Sequence, residues 1–395
     1  MINPFYVLVF SGITVISMFF LKWSIFYNQL SLQMYMFFII NTATAFSLGF
    51  IFRKKLRYKN TYFRIKYPKL IGGVILLGFL FDILYSKEIP LVSMLTSSGS
   101  RYDEVEHLPL FYPLLSSVNV FVIVCLFYSY LCCKNKVCLY VALLLLFPFV
   151  INVGRGLVVM SIVPCLLMYL STKNMFLSVK KIATIFLVLL SILYVFGYAG
   201  NIRSASVLSE RLHRTSTDEI ILSLGGATEE FKESYIPSEF LWGYLYVVSP
   251  ICNLNNNILI GISEGGGDEF FVYNFAPQSM QKNMFTKFEK DKSFLVVDTF
   301  NVSTAFALPY SQFGWAGVFF FQVYLYVLFF FFLFLLQKSK YKIIYLSLFS
   351  TSMLLVWFEN VLVLDVIAIP LCLSATMGVL KILCRPSYGS HTAGY

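Results

Sequence analysis

The chain is a succession of long apolar runs separated by short polar connections. Each run has the roughly 17 to 25 residues that a helix needs to cross a hydrocarbon core about 30 Å thick. The pattern predicts ten membrane-spanning helices, at about 4–21, 30–52, 69–86, 109–131, 137–152, 155–172, 181–199, 313–336, 343–361 and 363–383. The first run lacks a basic leader and a small-residue cleavage site, so we expect a retained helix, not a signal peptide.

Two connections are long enough to carry function, one at about 87–108 and one at about 200–300. Loops of that length in a compact protein are usually functional or disordered. Within the second loop, the stretch 240–251 is apolar for too few residues to cross a bilayer. It predicts a re-entrant or interfacial segment in a large, partly helical loop. We therefore expect residues 1–395 to form a single integral membrane domain.

Composition strengthens the membrane assignment. Of the residues, 58% are hydrophobic, 18% are aromatic and only 13% are charged, against about 25% charged in an ordinary soluble domain. This balance excludes a soluble enzyme with one anchor, a secreted disulfide scaffold and a disordered chain. The predicted fold class is an all-α polytopic membrane protein.

The basic residues are distributed unevenly between alternate connections. Five alternate connections hold eighteen of the 30 basic residues and no acidic residue, and eight of these eighteen lie between positions 53 and 69. The intervening connections hold the other twelve basic residues and all 20 acidic residues. Basic loops remain on the cytoplasmic side, so both termini are predicted to be cytoplasmic and the loops 87–108 and 200–300 to face outward. The net charge of +10 then indicates retention beside anionic lipid headgroups, not nucleic acid binding.

Charged residues cluster in the first third of the large loop. We expect a helix over about 202–224 with a break near Thr215, and on such a helix Arg203, Glu210 and Arg214 share one face. Arg211 and His213 flank that face. The alternative interpretation of this face is a solvated charged surface.

Arg155 lies in a tight turn between the fifth and sixth predicted spans. A guanidinium between helix ends is costly unless an anion meets it, which favours a functional role over a snorkelling side chain. Three acidic residues at outer helix ends, Asp82, Glu359 and Asp365, are either its structural partners or acid/base candidates. The acidic run at 103–106 is a weak metal signal, and we expect no metal.

Three short motifs now resemble a known family. The segment 301–317, NVSTAFALPYSQFGWAG, is similar to the signature before a late helix of the Wzy-type repeat-unit polymerases. The Gly154–Arg155 step resembles a small-residue/Arg turn of that family, and Arg214 and Gly225 match its Arg-x10-Gly pattern. The ten-helix layout with one large outer loop resembles the family as well, and implies a GT-C-like membrane fold. Gln312 stands where some members carry an acid, so no catalytic carboxylate is transferred to that position.

The resemblance implies a nucleotide-sugar-independent glycosyltransferase that joins undecaprenyl-diphosphate-linked oligosaccharides at the periplasmic face of the bacterial inner membrane. The growing chain leaves its lipid diphosphate and joins a hydroxyl of the incoming unit, which requires fixed cations and a general base. We assign the diphosphate to Arg155, Arg203 and Arg214, with Arg101 and Arg211 in reserve, and the base to His213, Glu210 or Asp218. No cofactor is implied, and the expected partners are the lipid-linked oligosaccharide, membrane lipid and, by analogy, a chain-length regulator protein.

Three other functions compete with this one. An O-antigen ligase shares the lipid donor and the large outer loop but uses a lipid A-core acceptor. A flippase or other transporter predicts an internal repeat, short outer loops and polar groups at mid-membrane depth. A scaffold for a synthesis complex leaves the arginines on the outer side unexplained.

Overall fold

The computed structural model describes residues 3–27, 29–56, 62–96, 105–172, 217–261, 267–284, 295–297 and 300–383. These residues are mostly helical. In chain order the helices are α1 Pro4–Phe19, α2 Leu32–Phe52, α3 Pro68–Ser86, α4 Pro90–Thr96, α5 Phe111–Cys133, α6 Lys136–Leu144, α7 Phe147–Ile151, α8 Arg155–Thr172, α9 Thr217–Leu224, α10 Glu229–Lys232, α11 Glu239–Ile260, α12 Gly267–Phe275, α13 Gln278–Met284, α14 Ala307–Leu335, α15 Lys342–Leu355 and α16 Asp365–Leu383.

Five of these helices, α2, α3, α5, α8 and α14, are long and apolar enough to cross a membrane. Shorter apolar helices lie at α1, α6–α7, α15 and α16. The described part of the chain is therefore an all-α, multi-pass membrane protein. The predicted span 181–199 lies outside the described residues, and the count of ten spans stays a prediction.

Two predicted spans are interrupted in the structure, and a third, 343–361, ends early, at Leu355. The run 137–152 is divided into α6 and α7, with Pro148 in the first turn of α7. Proline lacks an N–H and its ring collides with the carbonyl four residues earlier, so α6 ends at Leu144. The run 313–336 begins earlier, at Ala307, and the helix is broken at Phe313 and Gly314, where φ and ψ are not helical.

The helices pack around a core of aromatic and aliphatic side chains. Helix α1 packs mainly against α15 and α2, and α5 packs against α6, α8 and α16. Trp357 stacks on Phe38 with ring centroids 4.3 Å apart. Ser11 donates a hydrogen bond to the Met353 carbonyl at 3.3 Å, which ties α1 to α15 across 342 residues of sequence.

Connections that the charge pattern assigns to one side do meet at one end of the bundle. Lys342 Nζ donates to the Lys55 carbonyl at 2.8 Å, so α15 begins where α2 ends. Lys340 lies 5.8 Å from the ring centroid of Tyr62, and the Phe63 carbonyl accepts a hydrogen bond from Cys133. The contacts bring these connections to one end of the bundle, and the topology across the membrane stays a prediction.

The described part of the large loop docks on the connection between α1 and α2. Ser24 Oγ donates to the Gly225 carbonyl at 2.6 Å, and Ile25 N–H donates to the Gly226 carbonyl at 2.8 Å. Gly226 has φ +57°, and a side chain there would also collide with Phe26, so only glycine fits this turn. The loop is therefore anchored at this edge.

Helix α11 contains the apolar stretch 240–251 but continues well beyond it, over 22 residues. The asparagines that follow the stretch are inside this helix and bind neighbouring segments. Asn253 donates to the carbonyls of Phe300 and Val302, and Asn255 accepts from the Ser31 N–H. The helix is mostly buried within the protein, and its place relative to the bilayer stays a prediction.

Adjacent glycines on α3 provide a matched test of the packing between α3 and α6. A Cβ built on Gly72 would lie 2.5 Å from Val141 Cγ1, whereas one on Gly73 meets nothing within 4 Å. We expect Gly72→Ala to destabilise the protein by about 1–3 kcal/mol, because overpacking forces side chains and backbone to shift. Gly73→Ala should be neutral or stabilising, since alanine favours helix.

The measurement is thermal unfolding of the detergent-solubilised variants, followed by size-exclusion fluorescence. Val141→Ala introduced into Gly72→Ala should recover much of the lost stability. Equal melting temperatures for the two single variants would show that α3 and α6 are not in this contact.

Candidate active site

A buried carboxylate near the end of α3 holds a histidine from the connection that follows. Asp82 is 0% exposed, and its Oδ2 lies 2.7 Å from His107 Nδ1. Its other oxygen, Oδ1, accepts a hydrogen bond from the Leu108 N–H at 3.0 Å. The two contacts fix both the carboxylate and the imidazole, and they require Nδ1 to carry the proton when Asp82 is ionised.

An irregular turn positions this histidine against α5. Leu110 has φ +61° just before the helix begins, and the Tyr112 N–H donates to the Leu108 carbonyl. The rings of His107 and Tyr112 then stack, with centroids 3.9 Å apart and planes 10° from parallel. The His107 side chain is 24% exposed, and its Nε2 has no hydrogen-bond partner among the described residues. The imidazole is thus held on one edge and available on the other.

Further polar groups extend from Tyr112 to the turn that precedes α8. The Tyr112 hydroxyl lies near the side chains of Ser116 and Asn152, although neither forms a hydrogen bond of good geometry with it. The Ser116 hydroxyl and both amide atoms of Asn152 are buried without hydrogen-bond partners. Three residues later, Arg155 is exposed and begins α8. We call Asp82, His107, Tyr112 and Asn152, with Arg155 three residues further along the chain, the α3–α8 cluster.

The turn that carries Arg155 is built by backbone contacts. Val153 has φ +51°, and the Gly154 N–H donates to the Phe149 carbonyl at 2.8 Å. The Val158 N–H in turn donates to the Gly154 carbonyl at 3.2 Å. This closed turn ends α7, starts α8 and sets the position from which the guanidinium extends.

The α3–α8 cluster has the parts needed for proton transfer to a fixed base. A histidine whose Nδ1 is held by a buried carboxylate can accept a proton at Nε2, and the carboxylate stabilises the imidazolium that forms. The Arg155 guanidinium, at the start of α8, can compensate negative charge that develops on an oxygen. Among the described residues no group of three metal-ligating side chains is present.

Most of the candidate residues chosen from the sequence fall outside the described part of the chain. Arg155 is at the start of α8, and Asp218 lies in α9. The remaining six, Arg101, Arg203, Glu210, Arg211, His213 and Arg214, lie outside the described residues, so their roles stay predictions.

The three acidic residues proposed as partners of Arg155 have separate surroundings. Asp82 binds His107, and Asp365 accepts hydrogen bonds from the N–H and the hydroxyl of Ser279. Glu359 lines a small cavity beside Asn360. Asp82 has a titratable partner in His107, which makes it an acid/base candidate.

His107 is a candidate base that the sequence assignment did not include. The signal in the sequence is an acidic residue near the outer end of one predicted span and a histidine just before the next. The chain has only three histidines, so an acid and a histidine at the two ends of the first long loop indicate a possible pair.

The comparisons with known proteins leave the family open. No family model matches the chain, and neither a curated protein nor a solved structure matches it. The case for a function therefore depends on the α3–α8 cluster and on the short motifs.

Proposed function

We propose that the protein polymerises undecaprenyl-diphosphate-linked oligosaccharide repeat units into O-antigen or a related surface polysaccharide. The observation that carries the proposal is the Asp82–His107 pair at 2.7 Å, in a cluster that leads to the Arg155 turn. A base held by a buried carboxylate, together with a cation at a helix end of the same membrane bundle, suits glycosyl transfer from a lipid diphosphate to a hydroxyl. The motif at 301–317 and the Gly154–Arg155 step support the same family.

In the proposed reaction, His107 Nε2 removes the proton from the acceptor hydroxyl as its oxygen attacks the anomeric carbon of the growing chain. The bond from that carbon to the diphosphate oxygen breaks, and the electron pair leaves with undecaprenyl diphosphate. Arg155 compensates the charge that develops on the leaving group. Asp82 keeps the imidazole oriented and stabilises its protonated form. The energy is supplied by the glycosyl diphosphate, so neither a nucleotide sugar nor a metal is required.

The proposed location is the bacterial inner membrane, with the α3–α8 cluster facing the periplasm. The support is the charge pattern, which places the connection containing His107 opposite the basic connections. A chain-length regulator protein remains a proposed partner on the basis of the family resemblance alone.

The test is reconstitution of the full chain in nanodiscs with undecaprenyl-diphosphate-linked repeat units and no nucleotide sugar. The repeat units are extracted from the bacterium that makes this protein. We expect a product ladder spaced by one repeat unit, resolved on a gel and by mass spectrometry. A folded protein that makes no ladder from the cognate unit would contradict the proposal. Transfer of the same glycan to added lipid A-core would then identify a ligase instead.

A further inference from the structure

A second polar cluster lies where α14 is broken. Gln312 is 6% exposed, and the residues that follow it, Phe313 and Gly314, have non-helical dihedrals. Backbone of this kind in a membrane protein is tolerated where it is buried in protein or lines a cavity. In transporters, such interrupted helices form substrate sites. The break is therefore a place to look for bound polar groups.

The orientation of the Gln312 amide is fixed by its neighbour on α12. Asn274 Nδ2 donates to the Phe270 carbonyl at 2.9 Å, so this atom of Asn274 is the nitrogen. The same Nδ2 donates to Gln312 Oε1 at 2.8 Å. Reversing the Gln312 amide would place two nitrogen donors against each other. Gln312 Nε2 must therefore point away from Asn274.

That nitrogen is an unused donor. Gln312 Nε2 is buried and has no hydrogen-bond partner in the described part of the chain. A buried polar group without a partner costs free energy, so native structures rarely retain one without a reason. Ligand binding would supply the missing acceptor.

The surroundings favour an uncharged, hydroxyl-rich ligand. The Asn274 carbonyl accepts a hydrogen bond from Asn360 Nδ2 at 3.0 Å, which brings a third amide into the cluster. The stretches 267–284, 300–335 and 356–365 contain no arginine and one lysine, Lys282, whereas Glu359 and Asp365 lie in the last of them. Amides without a guanidinium suit neutral hydroxyl groups, which both donate and accept, better than phosphate oxygens.

Aromatic side chains flank the break on the exposed side. Phe313 is 42% exposed and Trp315 is 36% exposed. Phe313 packs edge-on against Phe270 of α12, and Trp315 Nε1 donates to Gln33 Oε1 at the start of α2. Large aromatic faces beside hydrogen-bonding groups suit ligands that have both apolar C–H surfaces and polar edges.

We propose that the break in α14 is a saccharide-binding subsite, in which Gln312 Nε2 donates a hydrogen bond to a sugar oxygen and Phe313 or Trp315 packs on the sugar ring. The inference rests on the proposed function, because it assigns to this subsite the oligosaccharide of a lipid-linked unit. It separates sugar recognition at Gln312 from diphosphate recognition at Arg155.

The probe is the lipid-free oligosaccharide repeat unit, released from its undecaprenyl diphosphate by mild acid and titrated calorimetrically into the nanodisc-embedded protein at pH 8.5. We expect wild-type protein to bind it, and Gln312→Glu and Gln312→Met to bind about tenfold more weakly, since each loses the amide donor. Arg155→Ala should bind this lipid-free probe as wild type does.

The two Gln312 variants separate ligand binding from a structural role. A glutamate still accepts the hydrogen bond from Asn274, so a residue that only holds α12 would be replaced by glutamate without loss of saccharide affinity. Wild-type affinity in Gln312→Glu therefore overturns the subsite, and so does the absence of binding to wild-type protein at millimolar saccharide.

The outcome is independent of the polymerase assay. A normal repeat-unit ladder with no Gln312-dependent binding would overturn the subsite and leave the proposed function intact. Gln312-dependent binding without a ladder would support the subsite and contradict the polymerase.

Discussion

Replacing His107 by asparagine should lower the rate of polymer growth by roughly 10²–10⁴-fold, the range that a positioned general base typically contributes. Asparagine retains an N–H that can reach Asp82 in place of Nδ1, so the buried carboxylate keeps a partner. It has no basic nitrogen at the position of Nε2. The rate is measured as the initial formation of the first elongated product in nanodiscs, at saturating lipid-linked substrate.

Two controls accompany this variant. Glu106→Gln removes the exposed acidic residue next to His107 and should leave the rate unchanged. In the wild type, the two Asp82 oxygens face two donors, His107 Nδ1 and the Leu108 N–H. Asp82→Asn replaces one of these oxygens with an NH₂ group, which cannot accept, and should lower both the rate and the melting temperature. If the His107→Asn protein is folded and elongates at more than a third of the wild-type rate, His107 is not the base.

Arg155→Ala should reduce the rate by a factor on the order of 10², as loss of one charge-assisted contact to a developing anion does in other enzymes. Arg155→Lys should recover only part of it, because an ammonium cannot make the bidentate contact of a guanidinium. The side chain is exposed, so added methylguanidinium should partly restore Arg155→Ala. The measurement is the same initial rate, with and without the added cation.

The matched control is Lys232→Ala, which removes a cation from the large loop, away from the turn that carries Arg155. Lys232 is exposed and paired with Glu229 at 2.8 Å, and its loss should not change the rate. An Arg155→Ala protein that is inserted and still elongates normally would remove Arg155 from the diphosphate site.

Hydropathy predicts the positions of several helices of this protein closely. A helix that crosses lipid must be apolar over its whole length, so the signal is a long apolar run and does not depend on periodicity. Helices α2 and α3 lie within about two residues of the predicted runs. The split between α6 and α7 was also readable, since Pro148 is visible in the sequence. The break in α14 was not, because Phe313 and Gly314 are both compatible with an apolar helix and the φ of +56° at Gly314 depends on packing against α12.

The candidate site was harder to predict than the fold for a physical reason. Asp82 and His107 are 25 residues apart, and their pairing depends on the irregular turn at Leu110. The positive φ of Leu110 could not be predicted from the sequence, because positive φ is usual at glycine or asparagine and not at leucine. Asn253 and Asn255 follow the apolar stretch 240–251 and lie within α11, where their amides bind backbone groups of segments distant in sequence.

The edge at which Ser24 meets Gly225 has a consequence for biosynthesis. The two residues are 201 positions apart, and a ribosome that adds about 5–20 residues per second needs roughly 10–40 s to cover that distance. During this interval the Ser24 hydroxyl and the Ile25 N–H do not yet have their partners in the large loop and bind water instead. A chaperone or a lipid headgroup that occupies this edge would delay completion of the fold, so the newly made amino-terminal hairpin is the stage most exposed to quality-control proteolysis.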